Sequence, residues 1–171
     1  LVPKPPVPGF LSTFESLTFK RVDDPSRLVF AATRPDKLRV VKEFLSGADD
    51  NLPQIKLTIE NPTDKAVESG DWTLSVGPGL GTIPTEEEEN VSLTRSLGFI
   101  RGENGLNGKI EVFKQPGDVR ADYRWIGVDN RYFLAALLPK TGDFSKAEAL
   151  DSHRVRLTAK SATLAPRSSL T

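Results

Sequence analysis

The sequence predicts an all-β protein with at most short helices. Apolar side chains recur at every second position in several separate segments, which is the spacing of strands that bury one face. Turn residues, mainly glycine, proline and asparagine, end these segments. Only residues 145–150 offer a helical turn, and no more than one. The elements are therefore expected to be strands joined by turns.

Length and charge limit the possible classes of function. The chain has 171 residues, the usual size of one domain that buries its apolar surface around a single core. Its 23 basic and 23 acidic residues cancel, whereas a nucleic-acid-binding protein presents a broad positive field to phosphates. The composition therefore predicts an ordinary globular domain that binds no nucleic acid.

The residue types that are missing exclude further chemistry. The chain has no cysteine, so it offers no disulfide, no thiolate nucleophile and no zinc site built on sulfur. Methionine is absent even at position 1, and we therefore expect the chain to be a piece of a longer protein. No apolar run approaches the roughly 20 residues needed to cross a bilayer. We expect any membrane anchor to lie outside this sequence.

Three regions are expected along the chain. Residues 1–11 read as a proline-rich arm or linker, because proline lacks the amide hydrogen that a helix or an inner strand requires. Residues 12–164 carry the strand patterns, and residues 165–171 form a polar tail that is expected to fray. In the first half, the alternating sets are Leu17 and Phe19; Leu28, Phe30 and Ala32; Leu38, Val40 and Phe44, interrupted by Lys42; Ile55, Leu57 and Ile59; and Trp72, Leu74 and Val76.

Two segments between strands raise the question of a bound ion. Gly77, Gly79 and Gly81 supply flexible amides of the kind that bind anions, but Pro78 removes one amide and no amphipathic helix follows, so we favour a plain turn. Residues 86–89 are four consecutive glutamates. Consecutive side chains splay apart and do not provide the alternating ligands of a calcium loop, so we favour a solvated loop.

The second half contains the most informative run, residues 125–139. Residues 132–138 are apolar on both faces, which predicts a central strand covered on both sides and ended by Pro139. Ile110, Val112 and Phe113 predict a short strand before it, while residues 91–100 mix periods and allow no assignment. After it, Val155, Leu157 and Ala159 alternate with Arg154, Arg156, Thr158 and Lys160 in a half-exposed strand. That basic stripe is compatible with phosphate contacts, but we favour an exposed face that resists edge pairing.

Catalytic residues are scarce. His153 is the single histidine, and Ser152 beside it shows adjacency in sequence rather than a triad, so we expect no catalytic residue, no metal and no cofactor.

Two groups near the aromatic run each allow two interpretations. Asp122, Asp129, Asn130 and Arg131 suggest either a polar site or, as we favour, a tight turn with a locally paired arginine. Trp125, Tyr132 and Phe133 suggest either a groove for an apolar segment or, as we favour, core.

Several segments resemble one family in the same order. Val40-Val41-Lys42-Glu43-Phe44 and Ile55-Lys56-Leu57-Thr58-Ile59-Glu60-Asn61 are similar to a strand pair that ends in an asparagine turn. Residues 72–81 resemble a strand that leads into a Gly-Pro-Gly loop, and residues 125–139 are the best match. The family is that of the periplasmic domain of YidC membrane-protein insertases (YidC/Oxa/Alb), in a partial or shortened form. The resemblance covers about residues 12–164, except for residues 82–122.

The resemblance implies a twisted antiparallel β-sandwich of the galactose mutarotase-like type, the β-supersandwich, facing the periplasm at the bacterial inner membrane. It implies a non-catalytic domain, accessory to the insertion and folding of membrane proteins. The implied partners are Sec translocon accessory subunits and nascent membrane proteins, and the implied tether is a set of transmembrane helices outside this sequence. One departure is that a proline-rich arm precedes residue 12 where the family has additional N-terminal strands; these strands either lie outside this sequence or are missing from a naturally shortened domain. The alternative is a secreted carbohydrate-binding or sugar-modifying β-sandwich, suggested by Trp72, Trp125 and the fold class.

Overall fold

A computed structural model describes residues 18–46, 53–78, 80, 84–102, 107–119, 123–140 and 142–171. The proline-rich arm, Asp122 and two glycines of the Gly-Pro-Gly loop lie outside these residues. The described elements, in chain order, are β1 (Lys20–Arg21), β2 (Leu28–Thr33), β3 (Arg39–Leu45), β4 (Gln54–Asn61), β5 (Val67–Glu68), β6 (Trp72–Val76), a 3-10 helix (Pro84–Glu86), α1 (Glu87–Leu93), β7 (Arg95–Ile100), β8 (Lys109–Val112), β9 (Gly117–Val119), β10 (Tyr123–Asp129), β11 (Leu134–Leu137), β12 (Lys146–Asp151), β13 (Arg154–Ala159), β14 (Thr163–Leu164) and β15 (Ser168–Leu170).

The chain divides into two compact units. The first contains the described residues up to 72 together with residues 161–171, and the second contains the described residues between 73 and 160. The strands form sheets by antiparallel pairing in both units. The predicted all-β, antiparallel fold is therefore confirmed.

The first unit is built on the five-stranded sheet β1-β2-β3-β4-β15, with the two-stranded sheet β14-β5 beside it. Val40 of β3 lies opposite Ala32 on one side and Ile59 on the other, so one face of the sheet presents a continuous apolar row. That row is the core of the unit, because the buried cluster consists of Ala32, Leu38, Val40, Ile59 and Leu164, with Phe19, Val67 and Trp72 packed against it.

Lys42 lies one pair further along the same face, opposite Phe30 and Leu57. Its ammonium group sits 4.0 Å from the centre of the Phe19 ring. Burial lowers the pKa of Lys42 below its ordinary value. The lysine that interrupts the apolar pattern of β3 is thus accommodated by an aromatic face rather than by a carboxylate in the described residues.

Asn61 ties the end of β4 to the end of the chain. It is 1% exposed, and its side-chain nitrogen donates to the carbonyl oxygens of Lys65 at 2.8 Å, Leu164 at 3.1 Å and Ala165 at 3.0 Å. Its side-chain oxygen accepts hydrogen bonds from the Thr63 amide at 3.1 Å and the Thr63 hydroxyl at 2.7 Å. The predicted asparagine turn after β4 is therefore also a buried hydrogen-bond network that connects two segments distant in sequence. We call this network the buried polar joint.

The polar tail does not fray as expected, because Ser168, Ser169 and Leu170 pair with Asn61, Glu60 and Ile59 of β4.

The second unit is a sandwich of two four-stranded sheets, β11-β10-β7-β8 and β6-β13-β12-β9. Ile126 and Val128 of the first sheet pack with Ala147, Val155 and Leu157 of the second. Each of these five side chains is at most 2% exposed. The alternation in residues 154–159 is confirmed as a strand with one buried face.

Two local expectations in this unit are wrong. The acidic run is not a loop, because Glu87–Leu93 is helical; acidic residues at a helix N-terminus are favoured by the helix dipole, and proline at position 84 suits a helix start. The single helical turn expected at residues 145–150 is replaced by β12. Ala147 and Ala149 alternate there into the buried face, so packing overrides the helical preference of alanine and glutamate.

Candidate functional site

The second unit exposes large apolar side chains around β11. Tyr132 is 50% exposed, Phe133 56%, Leu134 55% and Leu138 52%. We call these four residues the β11 surface. Isolated apolar residues are common on proteins, whereas a contiguous group marks an interaction surface. The β11 surface is therefore the candidate functional site of this unit.

β11 is an edge strand rather than a central one, and the face that carries Leu134 is exposed. It pairs with β10 on one side only and ends the sheet among the described residues. Leu137 packs against the core of the unit, while Leu134 stands more than half exposed. The expectation of a central strand covered on both sides is wrong. A run that is apolar on both faces predicts cover on both faces, but here one face has been left open.

A tight turn leads from β10 into this surface. The Asn130 side-chain oxygen accepts hydrogen bonds from the amides of Tyr132 at 2.9 Å and Phe133 at 2.8 Å. The Asn130 amide donates to the Phe133 carbonyl oxygen at 2.9 Å. Asparagine is suited to this position because its short side chain caps nearby backbone amides. The geometry agrees with the turn interpretation of residues 129–131, and it turns Tyr132 and Phe133 outward, which makes the expectation that they are core wrong.

Ion pairs hold the polar side of the same turn. Arg131 lies 3.7 Å from a carboxylate oxygen of Glu86 and 3.6 Å from one of Glu89, and the Tyr132 hydroxyl donates to Glu86 at 2.5 Å. Two of the four consecutive glutamates thus form ion pairs with an arginine. In the described residues no three histidine, aspartate or glutamate side chains are grouped to hold a metal ion.

Arg95 makes the second ion pair of the turn. Its guanidinium donates to both carboxylate oxygens of Asp129, at 3.1 and 2.6 Å. These hydrogen bonds raise the pKa of Arg95 above its ordinary value. The polar residues beside the β11 surface are therefore paired with one another, which leaves the apolar group as the part available to a partner.

Gly127 allows β11 to lie close to β10. A side-chain carbon at this position would lie 2.4 Å from the Ala135 carbonyl oxygen and 2.9 Å from the Ala136 Cα atom. Trp125 lies on the same face of β10 as Gly127, opposite to the face of Ile126 and Val128, and is half-buried. The register irregularity between Tyr123 and Trp125 explains why Tyr123 joins the core while Trp125 does not.

Apolar side chains also reach the opposite edge of this sheet. Trp125 lies opposite Phe99, and Phe99 lies opposite Ile110 of β8. Ile110 is 61% exposed. The strand predicted around Ile110 and Val112 is confirmed, and it lies at the second edge of the sheet. β8 differs from β11 because Lys109 and Glu111 alternate with its apolar residues.

The other groups considered from sequence have structural roles. Gly77 has a positive φ of 98°, and a side chain there would meet the His153 carbonyl oxygen at 2.0 Å, so the glycine serves a close backbone approach. His153 lies 3.2 Å from the Ser152 hydroxyl, but Asp151 accepts from the His153 backbone amide at 2.8 Å rather than from its ring. These three residues therefore do not form a relay of the triad type.

The basic stripe of β13 is ion-paired. Arg154 lies 2.6 Å from Asp151, and Arg156 lies 3.1 Å from Glu148. Lys146 of the neighbouring strand lies 2.8 Å from Glu148 and 3.0 Å from Asp118. Because β13 lies between β6 and β12, it is not an edge strand, and the expected role of its charges in resisting edge pairing is wrong. This face of the second sheet is instead a mixed-charge surface, with acidic partners beside its arginines.

Sequence reasoning missed Leu134 and Leu138 as surface residues. A usable signal was the length of the strand, since four residues between a turn and Pro139 suit an edge better than the centre of a sheet. Of the two tryptophans that suggested a sugar site, Trp72 packs against the first core.

Fold and surface together define an all-β domain of the sandwich class, distinguished by an apolar edge in its second unit. Comparison with known families makes the assignment specific. The chain belongs to the family of YidC periplasmic domains, whose family model matches residues 6–171. It is 30% identical over 138 residues to a membrane protein insertase YidC of Endomicrobium trichonymphae. Comparison with solved structures gives no significant match.

The match to that insertase covers 80% of this chain and 25% of the insertase, so the chain spans about a quarter of the relative's length. In the part of the chain that the structure describes, none of the helices has the length and apolar character required of a membrane span. The resemblance to the YidC family that residues 40–61 and 125–139 indicated is therefore confirmed.

Proposed function

We propose that this chain is the extracytoplasmic, non-catalytic domain of a YidC-type insertase. In this role it faces the periplasm of a bacterium and is tethered to the inner membrane through spans outside this sequence. It assists the insertion and folding of membrane proteins by contacting them, and it contacts accessory subunits of the Sec translocon. Family membership supports the assignment to an insertase, and the relative's greater length leaves room for a membrane-embedded part.

The observation that carries the proposed role is the β11 surface. Four side chains of 50–56% exposure occur within residues 132–138, along and beside one edge strand, and polar groups of the adjoining turn are already paired. Membrane proteins in transit present apolar segments to water, and such segments bind apolar surfaces because both sides then leave water. The mixed-charge face of the other sheet offers no comparable gain in free energy, because its exposed side chains are charged rather than apolar.

Crosslinking in the full-length protein tests this role. A photoreactive phenylalanine analogue replaces Tyr132, Phe133 or Leu138, and crosslinks are collected in the native membrane while membrane proteins are being inserted. Matched controls carry the same analogue at Lys146 or Arg154, whose side chains are similarly exposed, at 45% and 48%, on the mixed-charge face.

We expect inserting membrane proteins to crosslink at the three β11 positions and not at the two controls. Crosslinks to a Sec accessory subunit at either set would identify the second partner. Equal crosslinking at all five positions, or none during active insertion, would contradict the proposed role of this surface.

A further inference from the structure

We propose that the edge of β11 that has no partner strand among the described residues binds an extended apolar segment of another polypeptide as an added β-strand. The proposal rests on the proposed function for the source of that segment, a membrane protein in transit. It adds the mode of binding, which is backbone hydrogen bonding along the edge together with contact between apolar side chains.

The register of the β10–β11 pair decides which amides are free. The hydrogen bond between the Asn130 amide and the Phe133 carbonyl oxygen closes the turn. From this pair onward, hydrogen-bonded and non-hydrogen-bonded residue pairs alternate along the antiparallel ladder. Val128 therefore exchanges hydrogen bonds with Ala135, and Ile126 with Leu137, in the observed register. The backbone groups of the intervening Leu134, Ala136 and Leu138 point away from β10. Among the described residues, these outward amides have no hydrogen-bond partner.

The edge also lacks the features that normally prevent strand addition. Protein edges are protected by charged side chains, by proline or by bulges. Leu134–Leu137 is Leu-Ala-Ala-Leu, without a charge, a proline or a register irregularity. Pro139 follows and has no amide hydrogen, but the alternation places its nitrogen on the β10 side. The outward edge of β11 therefore loses no donor to this proline. The edge strand β8, by contrast, carries Lys109 and Glu111.

The area of the surface favours a transient peptide segment over a second copy of this chain. A large side chain contributes roughly 200 Å² when fully exposed, so four half-exposed ones offer about 400 Å². Two copies would then bury about 800 Å², below the roughly 1,200 Å² at the lower end of stable protein interfaces. An extended segment needs no such area, because main-chain hydrogen bonds supply part of its affinity.

Amide hydrogen exchange measured by NMR provides the test. The probe is a capped, uncharged peptide of about seven residues in which valine and threonine alternate, added to the 171-residue chain. Strand addition protects the outward amides of Leu134, Ala136 and Leu138, with exchange slowed at least about tenfold near saturation. The amides of Ala135 and Leu137 change little, because they already bond to β10. This alternating pattern distinguishes strand addition from contact through side chains alone.

Two variants and a control isolate the edge. Ala136→Pro removes one outward amide at a position where an edge strand tolerates proline, and it should abolish the protection. Leu138→Lys places a charge on the edge and should weaken peptide binding at least about tenfold. Ala136→Ser is the control, because it keeps the amide and adds only a small side chain. The circular dichroism and thermal midpoint of each variant show whether it is folded.

Four results would overturn the proposal. The first is that the peptide does not bind. The second is that it binds without alternating protection, which would indicate side-chain docking. Protection that arises without peptide as the chain is concentrated, with a doubling of mass, would assign the edge to a second copy. In the full-length protein, Ala136→Pro should remove the crosslinks at Leu138. If those crosslinks persist unchanged, strand addition is wrong while the proposed function stands.

Discussion

Replacing Asn61 tests whether a buried polar joint holds the first unit together. Asn61→Ala removes a side chain that is 1% exposed. Of the five hydrogen bonds that this side chain makes, the one to the Leu164 carbonyl oxygen is buried and the other four are partly buried. A buried acceptor left without a partner costs about 1–3 kcal/mol, and each partly buried bond about 1 kcal/mol, less where water reaches the site. The expected loss is therefore about 3–5 kcal/mol, a large part of a typical stability of about 5–15 kcal/mol.

Asn61→Asp sharpens the test because it conserves shape. The introduced carboxyl group faces the carbonyl oxygens of Lys65, Leu164 and Ala165, to which the asparagine donates. An ionised group there is buried against three acceptors, so its pKa is raised and the variant should lose at least as much stability as Asn61→Ala at neutral pH. Part of that loss should return as the pH falls and the carboxyl group takes up a proton.

Urea unfolding followed by tryptophan fluorescence and circular dichroism measures these losses. Trp72 packs against the core of the first unit and reports on it directly. Thr58→Ala is the matched control: Thr58 bonds Thr171 at 3.1 Å between the same two segments, but at an exposed site, and should cost at most about 0.5 kcal/mol. A loss below about 1 kcal/mol for Asn61→Ala, or wild-type stability for Asn61→Asp at neutral pH, would refute the reasoning.

Three further predictions concern packing and pH. Gly127→Ala should destabilise the chain by about 2 kcal/mol or more in urea unfolding, because the added carbon would lie 2.4 Å from the Ala135 carbonyl oxygen. Burial lowers the pKa of Lys42, so the folded state holds fewer protons than the unfolded state near the ordinary lysine value, and stability should rise as the pH increases through that range. Lys42→Met should remove this rise in thermal-midpoint measurements. Hydrogen bonds, the largest contribution coming from the Ser26 side chain, lower the pKa of Asp24 from 3.8 to about 2. The resulting stabilisation of the folded state is present above about pH 4 and is lost as the pH falls through 2. Asp24→Asn should abolish this loss of stability at acid pH.

Sequence patterns predicted the strands that bury one face. In β13, Val155, Leu157 and Ala159 are at most 4% exposed and alternate with partly exposed residues. In β4 the alternation is right as well, but Ile59 is buried while Ile55 is 47% exposed. Periodicity identifies the face that points toward a core. It does not show how far along the strand the core extends, since that depends on neighbouring strands.

Elements whose identity depends on tertiary contacts escaped prediction. β12 reads locally as a helical turn, and it is a strand because it fits between β13 and β9. The glutamate run reads as a loop, and part of it is helical, with Glu86 and Glu89 facing Arg131. In both cases the deciding contacts lie outside the segment itself: β12 pairs with the next strand along the chain and with β9, and the glutamates face Arg131. A local pattern carries no information about such contacts.

β11 shows how the same limitation conceals an exposed apolar surface. Its residues have the composition of a buried central strand, but the strand lies at the end of the sheet and one of its faces is exposed. Covering about 400 Å² of apolar surface gives roughly 10 kcal/mol, whereas association costs about 4–15 kcal/mol. Little remains as net affinity, even with added backbone hydrogen bonds. The β11 surface is thus suited to contacts that form and dissociate readily, as the proposed accessory role would require.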